Sequence, residues 1–115
     1  MRTIQVAARS ALSADAAFDR IRQFEDEWTV PFRGRSINWR QRCEPAPSER
    51  RVSFTQTVGD FRSLSGVWRA TPTPQGCEVL VELTYDVGVP IYDRILDPLV
   101  ERVLARAVRT AVAGF

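Results

Sequence analysis

The stretch Gly59-Asp60-Phe61-Arg62-Ser63-Leu64-Ser65-Gly66-Val67-Trp68 decides the fold. It reads as a tight turn and then a strand whose Leu64, Gly66, Trp68 and Ala70 share one face. The run before it, 51–58, alternates in the same way, with Val52, Phe54, Gln56 and Val58 together. Residues paired across an antiparallel ladder point to one face, so the loop length decides whether the two apolar sets agree. A two-residue Gly59-Asp60 loop puts Trp68 opposite in face to Phe54. A three-residue loop, Gly59-Asp60-Phe61, pairs Val58 with Arg62, Gln56 with Leu64, Phe54 with Gly66 and Val52 with Trp68. That register gives one apolar face and lays an aromatic ring over a strand glycine, covering the gap the glycine leaves. The three-residue loop is the reading adopted.

Working outward, 2–8 alternates with Ile4, Val6 and Ala8 on one face and predicts a first strand. Ser13 suits an N-cap, and Ala14, Ala17, Phe18 and Ile21 follow at helical spacing, ending near Phe24. Residues 28–32 and 37–43 then predict a hairpin around Gly34-Arg35, pairing Phe32 with Ile37, Val30 with Trp39 and Trp28 with Gln41. Pro31 points outward there and suits an edge strand. After the central hairpin, a proline-bearing turn over 71–76 leads to a strand with Cys77, Val79, Val81, Leu83 and Tyr85 inward. Pairing Trp68 with Val79 and Leu64 with Leu83 keeps the apolar faces together, and Gly88-Val89-Pro90 breaks the sheet. Asp97 as N-cap and Pro98 at the first helical position predict a closing helix. Its stripe of Leu99, Val100, Val103, Leu104, Ala107, Val108, Ala111 and Val112 is apolar. Arg102, Arg106 and Arg109 lie on the other side and suit the negative end of the helix dipole. The expectation is one domain, 1–115, of class α+β: a curved antiparallel sheet of about six strands whose apolar face the last helix covers.

Composition excludes much chemistry. Histidine is absent, so the usual proton-transfer side chain near neutral pH is missing and no serine or cysteine triad can be built. All 16 basic residues are arginine, which removes Schiff-base chemistry and a phosphate-loop lysine. Two cysteines, Cys43 and Cys77, give neither a disulfide framework nor metal spacing. They read as buried small hydrophobes in a reducing cytoplasm, and no metal or cofactor is expected. No apolar run spans a bilayer, and the N-terminal residues lack a signal-peptide core. A net charge of +2 says nothing by itself about nucleic acid.

Element order and motifs together resemble the START-like helix-grip superfamily of birch-pollen-allergen-type proteins, and within it the polyketide cyclase/aromatase branch. The residues that carry this are Gly59-x-Phe61-x-x-Leu64-x-Gly66-x-Trp68, Gly76-Cys77-Glu78-Val79, Tyr85-Asp86, Gly88-x-Pro90 and the closing helix. The chain departs from the pattern in lacking a second small helix and some sheet after the first helix, which leaves the grip shallower, open on one side, or completed by a second subunit in a homodimer. The resemblance implies a sheet–helix cavity for a large, mostly apolar, carbonyl-bearing ligand. In cyclases that ligand is a poly-β-ketone on an acidic acyl carrier protein. The pocket folds it for aldol cyclisation and dehydration, and donors stabilise enolate and alkoxide. A non-catalytic carrier of a quinone, lipid or pigment needs the same cavity without acid or base.

Candidate ligand-binding residues are Trp28, Trp39, Gln41, Phe54, Gln56, Arg62, Leu64 and Trp68 on the sheet, with Leu99 and Val103 on the helix. The large aromatics either line a pocket or fill a small core. The amides of Gln41 and Gln56 are satisfied by a ligand carbonyl, by water or by backbone. Tyr85 is either a proton donor to an alkoxide or a structural phenol bonded to a carbonyl. Arg42 falls where the family resemblance implies a catalytic arginine, whereas strict alternation with Trp39 inside turns it outward; Arg62 is then the substitute. Arg33, Arg35, Arg40, Arg42, Arg50 and Arg51 form either a docking patch for the carrier protein or a solvated face. RNA on an aromatic sheet is disfavoured because the helix must cover that face.

Overall fold

The computed structural model describes residues 1–88 and 93–115. Strand β1 (Arg2–Ser10) buries Ile4 and Val6 by simple alternation. Ser13 caps α1 (Ala14–Arg22), its Oγ accepting the Ala16 N–H at 3.1 Å. The helix spacing then buries Ala14, Ala17, Phe18 and Ile21 on one side. Strands β2 (Glu27–Phe32), β3 (Arg35–Ala46), β4 (Arg51–Gly59), β5 (Ser63–Thr73) and β6 (Gly76–Asp86) follow as hairpins, and α2 (Asp93–Ala113) closes the chain. These six strands form one antiparallel sheet in the order β1-β6-β5-β4-β3-β2, so β1 and β2 are its edges. Helix α1 sits on β4, β5 and β6, and α2 lies along the two edge strands, more closely on β1 than on β2. This is the expected α+β helix-grip arrangement. Among the described residues, no helix is long and apolar enough to cross a membrane.

The central hairpin takes the expected register where the ring-over-glycine constraint acts: Phe54 pairs with Gly66 and Val52 with Trp68. A Cβ on Gly66 would lie 2.6 Å from the Phe54 ring and 2.4 Å from the Glu82 carbonyl oxygen, so the close approach requires glycine. Beyond Thr55 and Ser65 the expected pairs are not made. Instead β4 stays with β3, and Thr57 is an extra residue between Val58, which faces Arg40, and Gln56, which faces Gln41. This bulge turns Val58 out to 63 % exposure, correcting its expected place on the inner face. Phe61, expected as a turn residue, is buried between Trp39 and Tyr85.

Two other hairpins slide by two residues. The β2–β3 turn is Arg33-Gly34 rather than Gly34-Arg35; both have positive φ (48° and 75°), as a type I′ turn needs. Phe32 therefore pairs with Arg35, Val30 with Ile37 and Trp28 with Trp39. Across β5–β6, Trp68 pairs with Val81 and Leu64 with Tyr85, the ladder running on to Thr73 and Gly76. A slip of two leaves every side chain on its predicted face. Pro31 is exposed on edge strand β2, as expected.

Helix α2 begins four residues before the predicted Asp97 cap, so Pro98 stands inside it. The apolar periodicity that marks the helix starts only at Leu99, and the Asp-Pro pair imitated a start signal. Val100, Leu104, Val108 and Val112 are buried against the sheet. The expected break at Gly88-Val89-Pro90 lies, beyond Gly88, outside the described residues. Cys77 is buried as expected; Cys43 is only half-buried, and both are free thiols.

Candidate functional site

Where the concave sheet meets α2, the inward faces of β3, β4 and β5 present Trp39, Gln41, Phe54 and Trp68, and β2 adds Trp28. These five predicted residues line a small cavity, together with Val81, Leu83, Leu104, Ala107 and Val108. The cavity measures only ≈ 20 Å³, room for about one water molecule. Its walls are aromatic because the two-residue slip in β2–β3 puts Trp28 against Trp39: the indoles stack at 5.9 Å with 3° between planes. Trp68 lies 6.2 Å from Trp28, and Phe24 meets Trp28 and Trp68 at 5.7 and 5.2 Å. Such ring pairs contribute about 0.5–1.5 kcal/mol each beyond simple burial.

A larger space opens beside it. The groove between edge strand β2 and α2 measures ≈ 410 Å³ and is lined by Trp28, Thr29, Val30, Pro31, Val103, Arg106, Ala107, Thr110 and Ala111. Trp28 and Ala107 line both spaces, so they form the partition between groove and cavity. The β1 edge is different, because there Arg2 bonds the Glu101 carboxylate and ties α2 to the sheet.

The polar groups in this wall are few. Trp39 Nε1 donates to Gln41 Oε1 at 2.9 Å, and Gln41 Nε2 donates to Cys43 Sγ at 3.4 Å. Burial pushes the Cys43 thiol above its ordinary range, with the Gln41 hydrogen bond opposing and the Asp26 charge adding to the rise. Gln56, predicted as a ligand-binding residue, lines neither space, and its Nε2 donates to the Phe61 carbonyl at 2.9 Å. Two polar atoms nearby are buried without a hydrogen-bond partner among the described residues: Trp28 Nε1 and Gln56 Oε1. A buried donor or acceptor left unmade costs about 1–3 kcal/mol. The orphaned indole N–H belongs to the partition residue itself.

Several predicted residues stand elsewhere. Arg42 is on the outer face of β3, its side chain 75 % exposed and 4.0 Å from Glu44. The bulge that could have turned it inward lies in β4, so β3 alternates without interruption from Ile37 to Glu44, and Ile37, Trp39, Gln41 and Cys43 face in. Arg42 therefore does not face the cavity. Tyr85 is fully buried, its ring edge on Phe61 at 5.7 Å, and it lines neither space. Leu64 packs in the core, and Arg62 is exposed. Leu99 and Val103 face the outer end of the groove beside β2. Of the six arginines that read as either a docking patch or a solvated face, four stand beside carboxylates: Arg40 with Glu27, Arg42 with Glu44, Arg50 with Asp15 and Arg51 with Glu49. Arg106 and Ala107 were missed as site residues. Reading Arg102 and Arg106 at i,i+4 beside the apolar stripe would have found them.

Solved structures share this architecture at low sequence identity. The protein TTHA0849 from Thermus thermophilus superimposes with a TM-score of 0.83 at 18% identity, over 98% of this chain and 93% of that one. The Zhui aromatase/cyclase from Streptomyces sp. R1128 gives 0.74 at 16% identity, covering 98% and 92%. Norcoclaurine synthase from Thalictrum flavum gives 0.68 at 14%, covering 98% and 84%. At these identities the likeness is one of fold. A comparison with curated protein sequences gives no match. The sequence pattern of the family described as "Polyketide cyclase / dehydrase and lipid transport" matches residues 5–111, and the chain belongs to that family.

Proposed function

We propose that the protein binds a mostly apolar, carbonyl-bearing small molecule between sheet and helix, admitting it through the β2–α2 groove. The observation that carries this is the Trp28 indole N–H, buried without a partner in the partition between groove and cavity. A ligand carbonyl accepts that hydrogen bond and recovers what the orphaned donor costs. The apolar remainder of the ligand replaces aromatic contacts with its own. With ≈ 20 Å³ inside, entry requires Trp28 to move off Trp39.

Membership of the family, and the aromatase/cyclase among its fold relatives, support a cyclising form of this reading. In that form the wall confines a poly-β-ketone so that an acidic methylene carbon meets a ketone carbon. The Trp28 N–H and the Gln41 amide then hydrogen-bond the oxygen that gains charge. Arg42 and Tyr85 have no part in it, and proton transfer falls to water or to the substrate's own acidic positions. The carrier form needs only the binding step. It is supported by the cavity's lining, which among the described residues has no ionisable group. An acidic acyl carrier protein as donor belongs to the cyclising form. A homodimer covering the open edge suits both forms, and light scattering decides it.

The test is tryptophan emission titrated with paired ligands, a polycyclic quinone and its parent hydrocarbon. The quinone should bind about tenfold more tightly, consistent with one recovered hydrogen bond. In Trp28→Phe that preference should vanish. Equal affinity for the two ligands contradicts the role of the indole, and no saturable response to either contradicts the binding reading.

A further inference from the structure

The groove continues toward the β2–β3 turn into a space of ≈ 270 Å³ walled by Phe32, Leu99 and Val103 and rimmed by Arg33, Arg102 and Arg106. Arg102 and Arg106 stand one turn apart on α2, and Arg33 comes from the first turn position of the opposing hairpin. All three are exposed, and among the described residues none has a carboxylate within ion-pair reach, unlike Arg40 and Arg42 on the sheet's outer face. The helix dipole does not account for them. Its influence is confined to the last turn, where α2 carries no basic residue, and Arg102 stands near the middle of the helix. Like charges one turn apart repel, so the arrangement opposes the helix until an anion lies between them.

We propose that the outer end of the groove holds the oxyanion of an amphipathic ligand. Its apolar body lies on the groove floor, and a carboxylate or phosphate ester is gripped by Arg33, Arg102 and Arg106. Guanidinium groups suit either anion because their forked N–H donors match two oxygens at once. The inference rests on the ligand-binding reading above and narrows it: the cargo carries a carbonyl toward Trp28 and a negative charge toward the turn. Neutral polycycles and hydrocarbons then bind as partial occupants.

The experiment compares dodecanoate, dodecyl phosphate and dodecanol, each below its micelle concentration, by tryptophan emission from the Trp28 end of the groove. At low salt one or both anions should bind about tenfold or more tightly than dodecanol, as expected for charge-assisted hydrogen bonds. The advantage should shrink as salt screens it. In the double variant Arg102→Gln, Arg106→Gln it should fall to about twofold or less, with Arg33→Gln intermediate. Dodecanol, which the arginines do not address, reports whether the groove survives the substitutions. Whichever anion gains more from the arginines names the head group. Equal binding of all three ligands overturns the oxyanion site and leaves the binding reading standing. An anion preference that persists in the double variant also overturns it, by placing the charge recognition elsewhere. Failure of all three ligands to bind overturns both.

Discussion

The two edges of the sheet meet α2 in opposite ways. At β1 the helix is tied down by the Arg2–Glu101 pair and packs closely along the strand, and the neighbouring central strands carry α1 with Ala14, Ala17, Phe18 and Ile21 fully engaged. At β2 the helix stands off. It leaves a groove, a half-buried tryptophan with an unmade hydrogen bond and three arginines with no acid in reach among the described residues. The β1 edge is closed by its own ion pair, whereas the β2 edge leaves the Trp28 N–H and the three arginines for something outside the chain. A fold maximising its own stability would close both edges alike. The proposed binding site at β2 rests on this asymmetry.

The comparison predicts unequal losses. Phe18→Ala, on the sealed side, should cost about 3–5 kcal/mol in urea unfolding, as expected for a buried phenylalanine. Trp28→Ala should cost less than half of that, because its ring is half-buried and its N–H already unsatisfied. Equal losses would break the comparison. Gly66→Ala should cost about 1–3 kcal/mol through overpacking against Phe54 and the Glu82 carbonyl, with the register pulled apart at the centre of the sheet. Ser13→Ala should cost about 1 kcal/mol by removing the cap of α1. The smallest effect concerns pH. Burial raises the thiols of both Cys77 and Cys43, so the folded state holds these protons more tightly than the unfolded chain. Their contribution is fully present below the ordinary thiol range and erodes as pH rises through it. The urea midpoint should therefore fall as pH is raised from neutral through the thiol range, and less so in Cys77→Ala.

Alternation carried the fold a long way because it has period two. It placed Trp28, Trp39, Gln41, Phe54 and Trp68 on one wall even where the ladders slid by two residues. What alternation cannot supply is absolute register. Only the pair Phe54 over Gly66, a large ring needing a missing Cβ, supplied that, and there the expected pairing holds. The Arg33-Gly34 turn was missed because a non-glycine residue adopts positive φ there. Its consequence is the stack of Trp28 on Trp39 in the wall of the ≈ 20 Å³ cavity. The bulge at Thr57 has no residue signature in the strand, yet it decides that Val58 faces out and Trp39 meets Gly59. Arg42 shows the limit of a position inherited from resemblance: uninterrupted alternation in β3 outweighs it.

The most direct test observes the Trp28 indole proton itself by NMR, with its resonance assigned by Trp28→Phe, while a quinone ligand is added. A ligand carbonyl at Trp28 should move this signal downfield and protect it from exchange, whereas the Trp39 indole, already bonded to Gln41, keeps its partner. A Trp28 signal that stays in place while the ligand binds elsewhere, or no movement of any indole at saturating ligand, would contradict a ligand seated at that indole.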